Sequence, residues 1–328
     1  MDSAITVEGL GKSFQAKHKE AGLVGSLKSL VRPTYHSVTA VDDISFKIRK
    51  GDLTALIGPN GAGKSTILKM LTGILHPDHG TVRVAGLDPQ RQRTELAMRL
   101  GTVFGQKPQL WYHLPAIDTF DLFSRIYELD RAAYASRLRR LAEFFQINSF
   151  MHTPVRKLSL GQRMRAEIVA SLLHKPQVLF LDEPTIGLDI TTKKRIRHFI
   201  NEINKEEDTT IILTSHDMQD IEKICRNVMI INDGRIIYEG SMKELKKQFL
   251  THKIVSVLVD EKLGDVRMKG VTVLKKALFG MKLSVDTSAR PINSVIKALM
   301  KKYTIVDITI SDPPVEDMIE NILGEKAS

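Results

Sequence analysis

Nine consecutive residues, Gly58-Pro59-Asn60-Gly61-Ala62-Gly63-Lys64-Ser65-Thr66, fit the spacing G-x-x-x-x-G-K-[ST] without a substitution. The chemistry this pattern suits is the holding of a polyphosphate. Glycines let the backbone curl so that successive N–H groups point inward at phosphate oxygens. A helix starting near Lys64 would add its positive end, Lys64 would reach the terminal phosphates, and the Ser65 hydroxyl would ligand Mg²⁺. A second cluster lies further along the chain. Val178-Leu179-Phe180-Leu181 is an apolar run that ends in two carboxylates, Asp182-Glu183. If that strand ends beside the phosphate loop, Asp182 falls on the Mg²⁺ shell. Glu183, one residue on, points elsewhere and can orient or deprotonate an attacking water.

Such residues act only if the elements around them place them. Leu53-Thr54-Ala55-Leu56-Ile57 reads as a buried strand, and Ile67-Leu68-Lys69-Met70-Leu71 continues as a helix. Strand, loop and helix are the context the phosphate motif needs; a glycine-rich turn with a chance lysine would lack them. Ile44, Phe46 and Ile48 alternate with polar residues as in a half-buried strand. Residues 112–174 are mostly helical in pattern, after which strands over 178–181 and 210–214 and helices over 191–206 and 218–225 alternate. Asn232-Asp233-Gly234-Arg235 signals a hairpin. The order is an open α/β sheet with a helical insertion. Strands over 254–259, 281–285 and 305–310 with a helix opened by Pro291 form a separate small α+β domain. The expected domains are 1–245 and 246–328, with an insertion over 15–39 and a helical subdomain over about 112–174. Within the insertion, Leu23, Val24, Leu27, Leu30 and Val31 make a helical apolar stripe.

The 328 residues carry a formal net charge of +10. Lysine and arginine are scattered and not interleaved with aromatics, so a solvated surface is the first reading, anionic lipid the second, and nucleic acid is not expected. No long uncharged apolar run is present to span a bilayer, and no basic-then-apolar leader opens the chain. The single cysteine, Cys225, excludes an internal disulfide and a cysteine-cluster zinc module, and suits a reducing compartment.

Leu158-Ser159-Leu160-Gly161-Gln162-Arg163 resembles the LSGGQ signature of ABC ATPases, at the interval before Asp182-Glu183 that this family uses. Gln106 is similar in placement to its Q-loop glutamine, Gly187-Leu188-Asp189 to its D-loop, and His216 to its switch histidine. The resemblance covers most of the chain, about residues 5–240, and implies a P-loop ABC ATPase domain that binds ATP and Mg²⁺. It further implies that Ser159 and Gly161, with Gln162, contact the γ-phosphate held by an opposite subunit. Gln106 would approach Mg²⁺ and the water, His216 would hold the γ-phosphate near Glu183, and Asp189 would lie across the dimer seam. Phe14 is similar in placement to the residue that stacks on adenine. Leu160 departs from the family pattern, standing where the first glycine of a pair is usual.

The insertion and the carboxy-terminal domain resemble those of bacterial ATPases that serve ABC type-2 exporter permeases. That resemblance implies separate transmembrane permease subunits, a second copy of this chain, and a peripheral place on the cytoplasmic face of the membrane. Two other classes stay open at this point. One is a soluble ABC ATPase acting on ribosomes or DNA, whose usual tandem domain, coiled coil or zinc module is missing here. The other is an importer ATPase, for whose sugar-import type the tail is short.

Overall fold

The computed structural model describes residues 2–17, 35–104, 108–215, 217–249, 251–264, 266–314, 318–319 and 322. The expected stripe of Leu23, Val24, Leu27, Leu30 and Val31 lies outside the described residues, as do Gln106 and His216. The chain falls into two compact units, Met1–Gly240 and Ser241–Ser328.

In chain order the first unit runs β1 (Ser3–Lys17), β2 (Tyr35–Arg49), β3 (Leu53–Ile57), α1 (Lys64–Leu71), β4 (His79–Val84), α2 (Arg93–Ala97) and β5 (Leu100–Phe104). It continues with α3 (Ala116–Ile126), α4 (Arg131–Phe144), α5 (Leu160–Leu172), β6 (Val178–Asp182), α6 (Ile190–Glu207), β7 (Thr210–Thr214), α7 (Met218–Ile224), β8 (Asn227–Asn232) and β9 (Arg235–Ser241). One sheet has the order β5-β6-β7-β3-β8-β9. Its strands from β5 through β8 are mutually parallel. β3 lies inside this sheet and all five of its residues are buried, which is why it reads as an unbroken apolar run and not as an alternation. β8 turns into β9 through Asp233 and Gly234, both at positive φ, as a tight hairpin turn requires.

The second sheet, β2-β1-β4, is antiparallel. Ile44, Phe46 and Ile48 of β2 are buried between exposed neighbours. They join one core with Ile67, Leu68, Met70 and Leu71 of α1 and with Leu56, Phe180, Ile212 and Met229 of the larger sheet. The helix behind the phosphate loop is thus gripped by apolar residues of both sheets. Helices α3, α4 and α5 fill the expected helical stretch between β5 and β6. The expected insertion is shorter than 15–39. Its two ends continue the β1–β2 ribbon, with Phe14 opposite Val38, Gln15 opposite Ser37 and Lys17 opposite Tyr35. Polar alternation on an exposed ribbon leaves no apolar signal to mark those residues as strand.

The second unit comprises α8 (Met242–Phe249), β10 (His252–Val259), β11 (Val271–Lys276), β12 (Gly280–Asp286), α9 (Ile292–Lys302) and β13 (Ile305–Ser311). Its antiparallel sheet has the order β11-β12-β10-β13. Val255, Val257, Met281, Leu283 and Val285 pack against Val295 and Leu299 of α9. The division at Gly240 comes before α8, so the expected boundary at 245/246 falls inside that helix. A short amphipathic helix fits either neighbour on pattern alone, and the change of character at Lys253 drew the boundary too late. β11 is an addition to the expected strands; its Val-Thr-Val core is too short to stand out.

Candidate functional site

The loop after β3 turns back on itself against two backbones. A Cβ on Gly58 would lie 2.2 Å from the carbonyl oxygen of Ile231. Gly63 has φ of +105° and a Cβ there would lie 2.3 Å from the Ala40 carbonyl oxygen, so both glycines are fixed by close approach and the second by conformation as well. Gly63 caps α1 without a side-chain hydrogen bond. The first-turn residues Lys64, Ser65 and Thr66 line a cleft of about 420 Å³ with Asn60, Gly61, Asp182 and Glu183. A helix N-terminus whose amides have no side-chain cap is an anion site.

Lys64 lies across the loop. Its Nζ donates to the carbonyl oxygens of Gly58 at 2.7 Å and Pro59 at 3.0 Å. Burial lowers its pKa, against the opposing pull of the Glu183 and Asp182 charges. The ammonium is therefore parked on two neutral acceptors inside the cleft, ready for a stronger anionic partner.

The order of the larger sheet explains how Asp182 reaches the loop. β6 and β3 are both neighbours of β7, and register places Asp182 opposite Thr214 at the end of that intervening strand. The Thr214 hydroxyl donates to Asp182 Oδ1 at 2.6 Å. On the other side, Ser65 Oγ donates to Asp182 Oδ2 at 3.4 Å. Glu183 sits at φ +56°, a left-handed conformation uncommon for a residue with a side chain. It is held there by its N–H, which donates to Thr214 Oγ1 at 3.1 Å and Thr214 O at 3.2 Å. The turn sends the two carboxylates in different directions. Thr214 was not among the residues expected from sequence. A threonine ending an Ile-Ile-Leu strand gives no sign that the sheet order sets it beside Asp182.

Ser159, Gly161, Gln162 and Asp189 are not among the residues lining this cleft. Ser159 caps α5, accepting the Gln162 N–H at 3.2 Å, while its own N–H donates to Gln162 Oε1 at 2.9 Å. This is a capping box, so the Gln162 side chain is engaged within its own helix terminus. The spacing S-x-x-Q was the signal for it. Asp189 caps α6 in turn, accepting from Thr192 N at 2.9 Å and Thr192 Oγ1 at 2.6 Å, and these bonds lower its pKa. The two caps adjoin. A Cβ on Gly187 would stand 2.8 Å from Leu160 Cδ2, and one on Gly161 would stand 3.7 Å from Leu188 Cδ2. Phe14 is exposed on β1 with the Lys12 ammonium 5.8 Å from its ring centroid. Ser215 and Asp217, which flank His216, are joined by the Asp217 N–H donating to Ser215 Oγ at 3.0 Å.

One further residue was missed. Glu167 of α5 is buried and accepts the Gln109 N–H at 3.0 Å and the Leu110 N–H at 3.3 Å. Burial raises its pKa, against the pull of these backbone bonds. Its carboxylate ties the helix that begins within residues 158–163 to the segment just beyond Gln106.

Residues 41–186 match the ABC transporter family. The chain is 36% identical over 208 residues to the ABC transporter ATP-binding protein NatA of Bacillus subtilis, covering 63% of this chain and 84% of that one. It is 37% identical over 238 residues to the Nod factor export ATP-binding protein I of Ralstonia nicotianae, covering 72% and 71%. Among solved structures, an ATP-binding subunit of an ABC transporter superposes with a TM-score of 0.64 at 24% identity, over 75% of this chain and 93% of that one.

Proposed function

Because this chain belongs to the ATP-binding proteins of ABC transporters, and so binds and hydrolyses ATP to drive transport, we propose that it works in pairs on the cytoplasmic face of the membrane to power export through separate permease subunits. The carrying observation is the cleft in which Lys64, Ser65 and Asp182 converge beside Glu183. No described helix is long and apolar enough to cross a membrane, which supports a separate permease. Export is supported by the exporter named among the relatives.

Within the cleft, the amides of residues 60–66 and the Lys64 ammonium bind the phosphates. Ser65 and Asp182 would hold Mg²⁺. Their oxygen donors suit a hard cation that takes few protein ligands and completes its shell with phosphate and water. That ion neutralises phosphate charge when bound. Glu183 receives the proton of the attacking water, Gln106 and His216 orient that water and the γ-phosphate, and Phe14 stacks on the adenine. Ser159, Gly161, Gln162 and Asp189 serve the nucleotide of the partner copy. Their absence from the lining of their own chain's cleft is what composite sites require.

Mixed dimers test this reading. Lys64→Ala and Ser159→Arg should each abolish ATP hydrolysis. Mixed together, they should recover a fraction of it, since one of the two sites then keeps both groups. Mixing without any recovery, while crosslinking shows that the mixed dimer forms, would count against independent composite sites.

A further inference from the structure

Strands β11 and β12 meet in the two-residue loop Leu278-Phe279, closed by the Ala277 N–H donating to Gly280 O at 2.8 Å. Tight hairpins turn most easily through glycine or asparagine. Here two large apolar side chains form the tip, 61% and 51% exposed, and neither is in the left-handed region that would call for a special residue. The tip is anchored from behind. The Val259 N–H donates to Phe279 O at 2.8 Å and the Leu263 N–H donates to Leu278 O at 2.9 Å, while Met281 and Leu283 are buried beneath α9. Leu258, opposite Gly280 in register, and Leu274, on the same hairpin, are 50% and 52% exposed. Folding of the sheet therefore leaves four apolar side chains in water at one end.

The charges around them are unusual. Lys275 and Lys282 stand directly opposite each other across β11 and β12, and both are exposed. Like charges at opposed sheet positions repel. Their row continues through Ser256 and Thr309 and contains no carboxylate; Asp307, opposite Leu258, is one row away. Residues 274–282 hold three lysines and no acid; the adjoining loop carries Lys262 together with Asp260 and Glu261.

We propose that this hairpin tip is a lipid-contacting element, which sets Leu278, Phe279, Leu258 and Leu274 into the headgroup layer of an anionic bilayer and gives Lys275 and Lys282 to its phosphates. Apolar side chains on a hairpin end whose own charges are all lysines match an anionic membrane surface in both respects. A second copy of the chain would cover the apolar groups but would bring the same lysines to face each other. The proposal rests on the membrane-side placement argued above, and protein-free vesicles separate the two.

The purified full chain is sedimented with vesicles of phosphatidylcholine alone and of phosphatidylcholine with about one third phosphatidylglycerol. The expected result is binding to the anionic vesicles that weakens with salt and is small on phosphatidylcholine. Lys282→Glu should weaken that binding about twenty-fivefold, at about fivefold per unit of charge over two units. It should also hold or raise the melting temperature, because it turns a repelling cross-strand pair into an attracting one. Phe279→Ser should weaken binding about tenfold with ATP binding unchanged. A purely structural role would instead lower the melting temperature in step with binding. Three results would each overturn the proposal: no sedimentation of the wild type, equal sedimentation of Lys282→Glu, or concentration-dependent self-association that Phe279→Ser removes. Binding confined to vesicles that carry a permease would do the same. Vesicle binding that persists in a chain unable to power any permease would leave the tip standing and retire the transport reading.

Discussion

Thr214→Val tests whether the two carboxylates are positioned through β7. Valine matches threonine in shape and suits a buried strand, so the sheet should persist. What is lost is the 2.6 Å hydroxyl bond to Asp182 Oδ1 and one of two acceptors for the Glu183 N–H. A hydrogen bond to a charged group is worth about 1.5–3 kcal/mol, which converts to a loss of about 10- to 100-fold if all of it bears on the orientation of Asp182. Removal of such supporting partners costs metal sites about the same factor. The Glu183 N–H keeps its bond to Thr214 O, so the left-handed turn should survive and nucleotide affinity without metal should hardly change. Isothermal titration of ATP with and without Mg²⁺ separates these, and hydrolysis against Mg²⁺ concentration gives the second measure. Thr214→Ser, which keeps the hydroxyl, should restore most of the loss. Wild-type Mg²⁺ dependence in Thr214→Val, or equal damage in Thr214→Ser, would refute the reasoning.

Glu183→Gln should bind ATP while hydrolysing it about 10²- to 10⁴-fold more slowly, the range for loss of a general base, as read by single-turnover assays. Gly63→Ala should destabilise the fold by about 1–3 kcal/mol and remove ATP binding, because its Cβ meets the Ala40 carbonyl at 2.3 Å in a left-handed backbone; calorimetry and nucleotide titration check both. His174 stacks on Tyr127 with ring centroids 3.8 Å apart and its Nε2 is 2.8 Å from Leu100 O. Burial lowers its pKa from 6.5 to about 4. The unfolded chain then takes the proton more readily, so the stability tied to this residue is whole above pH 6.5 and is lost as pH falls toward 4. The loss amounts to about 3 kcal/mol, and melting curves of His174→Gln should show a correspondingly weaker acid dependence than the wild type.

Local chemistry was legible in the sequence and relations across the sheet were not. Gly58 through Thr66 announced a loop whose strand and helix are where the pattern puts them. Asp182 and Glu183 announced a strand end, but nothing in their spacing says that β7 lies between β6 and β3. Thr214 became visible only with that order, and Glu167 only when α5 was packed beside Gln109. Gln162 carries two patterns at once. Its place in the signature suggested a nucleotide contact, and the same four residues spell a helix cap, which is where its side chain is found. Gln15 and Tyr35–Thr39 carry strand structure that no apolar alternation advertises, because an exposed ribbon is held by its backbone.

Leu160 resting over Gly187 has a consequence for how sequences of this kind can drift. The Cδ2 methyl of Leu160 takes up volume that a β-carbon on Gly187 would need, with 2.8 Å between them. The two positions are thus coupled through one methyl group, on top of the preference for glycine that the backbone at 187 sets by itself. A lineage that keeps leucine in the signature must turn that side chain aside before any β-carbon can enter the turn before α6. A lineage that reverts the leucine to glycine regains the freedom to vary the turn, up to the limit its φ of +68° sets. Homologues that share Leu160 should accordingly be found with Gly187 far more often than either residue's abundance alone would give.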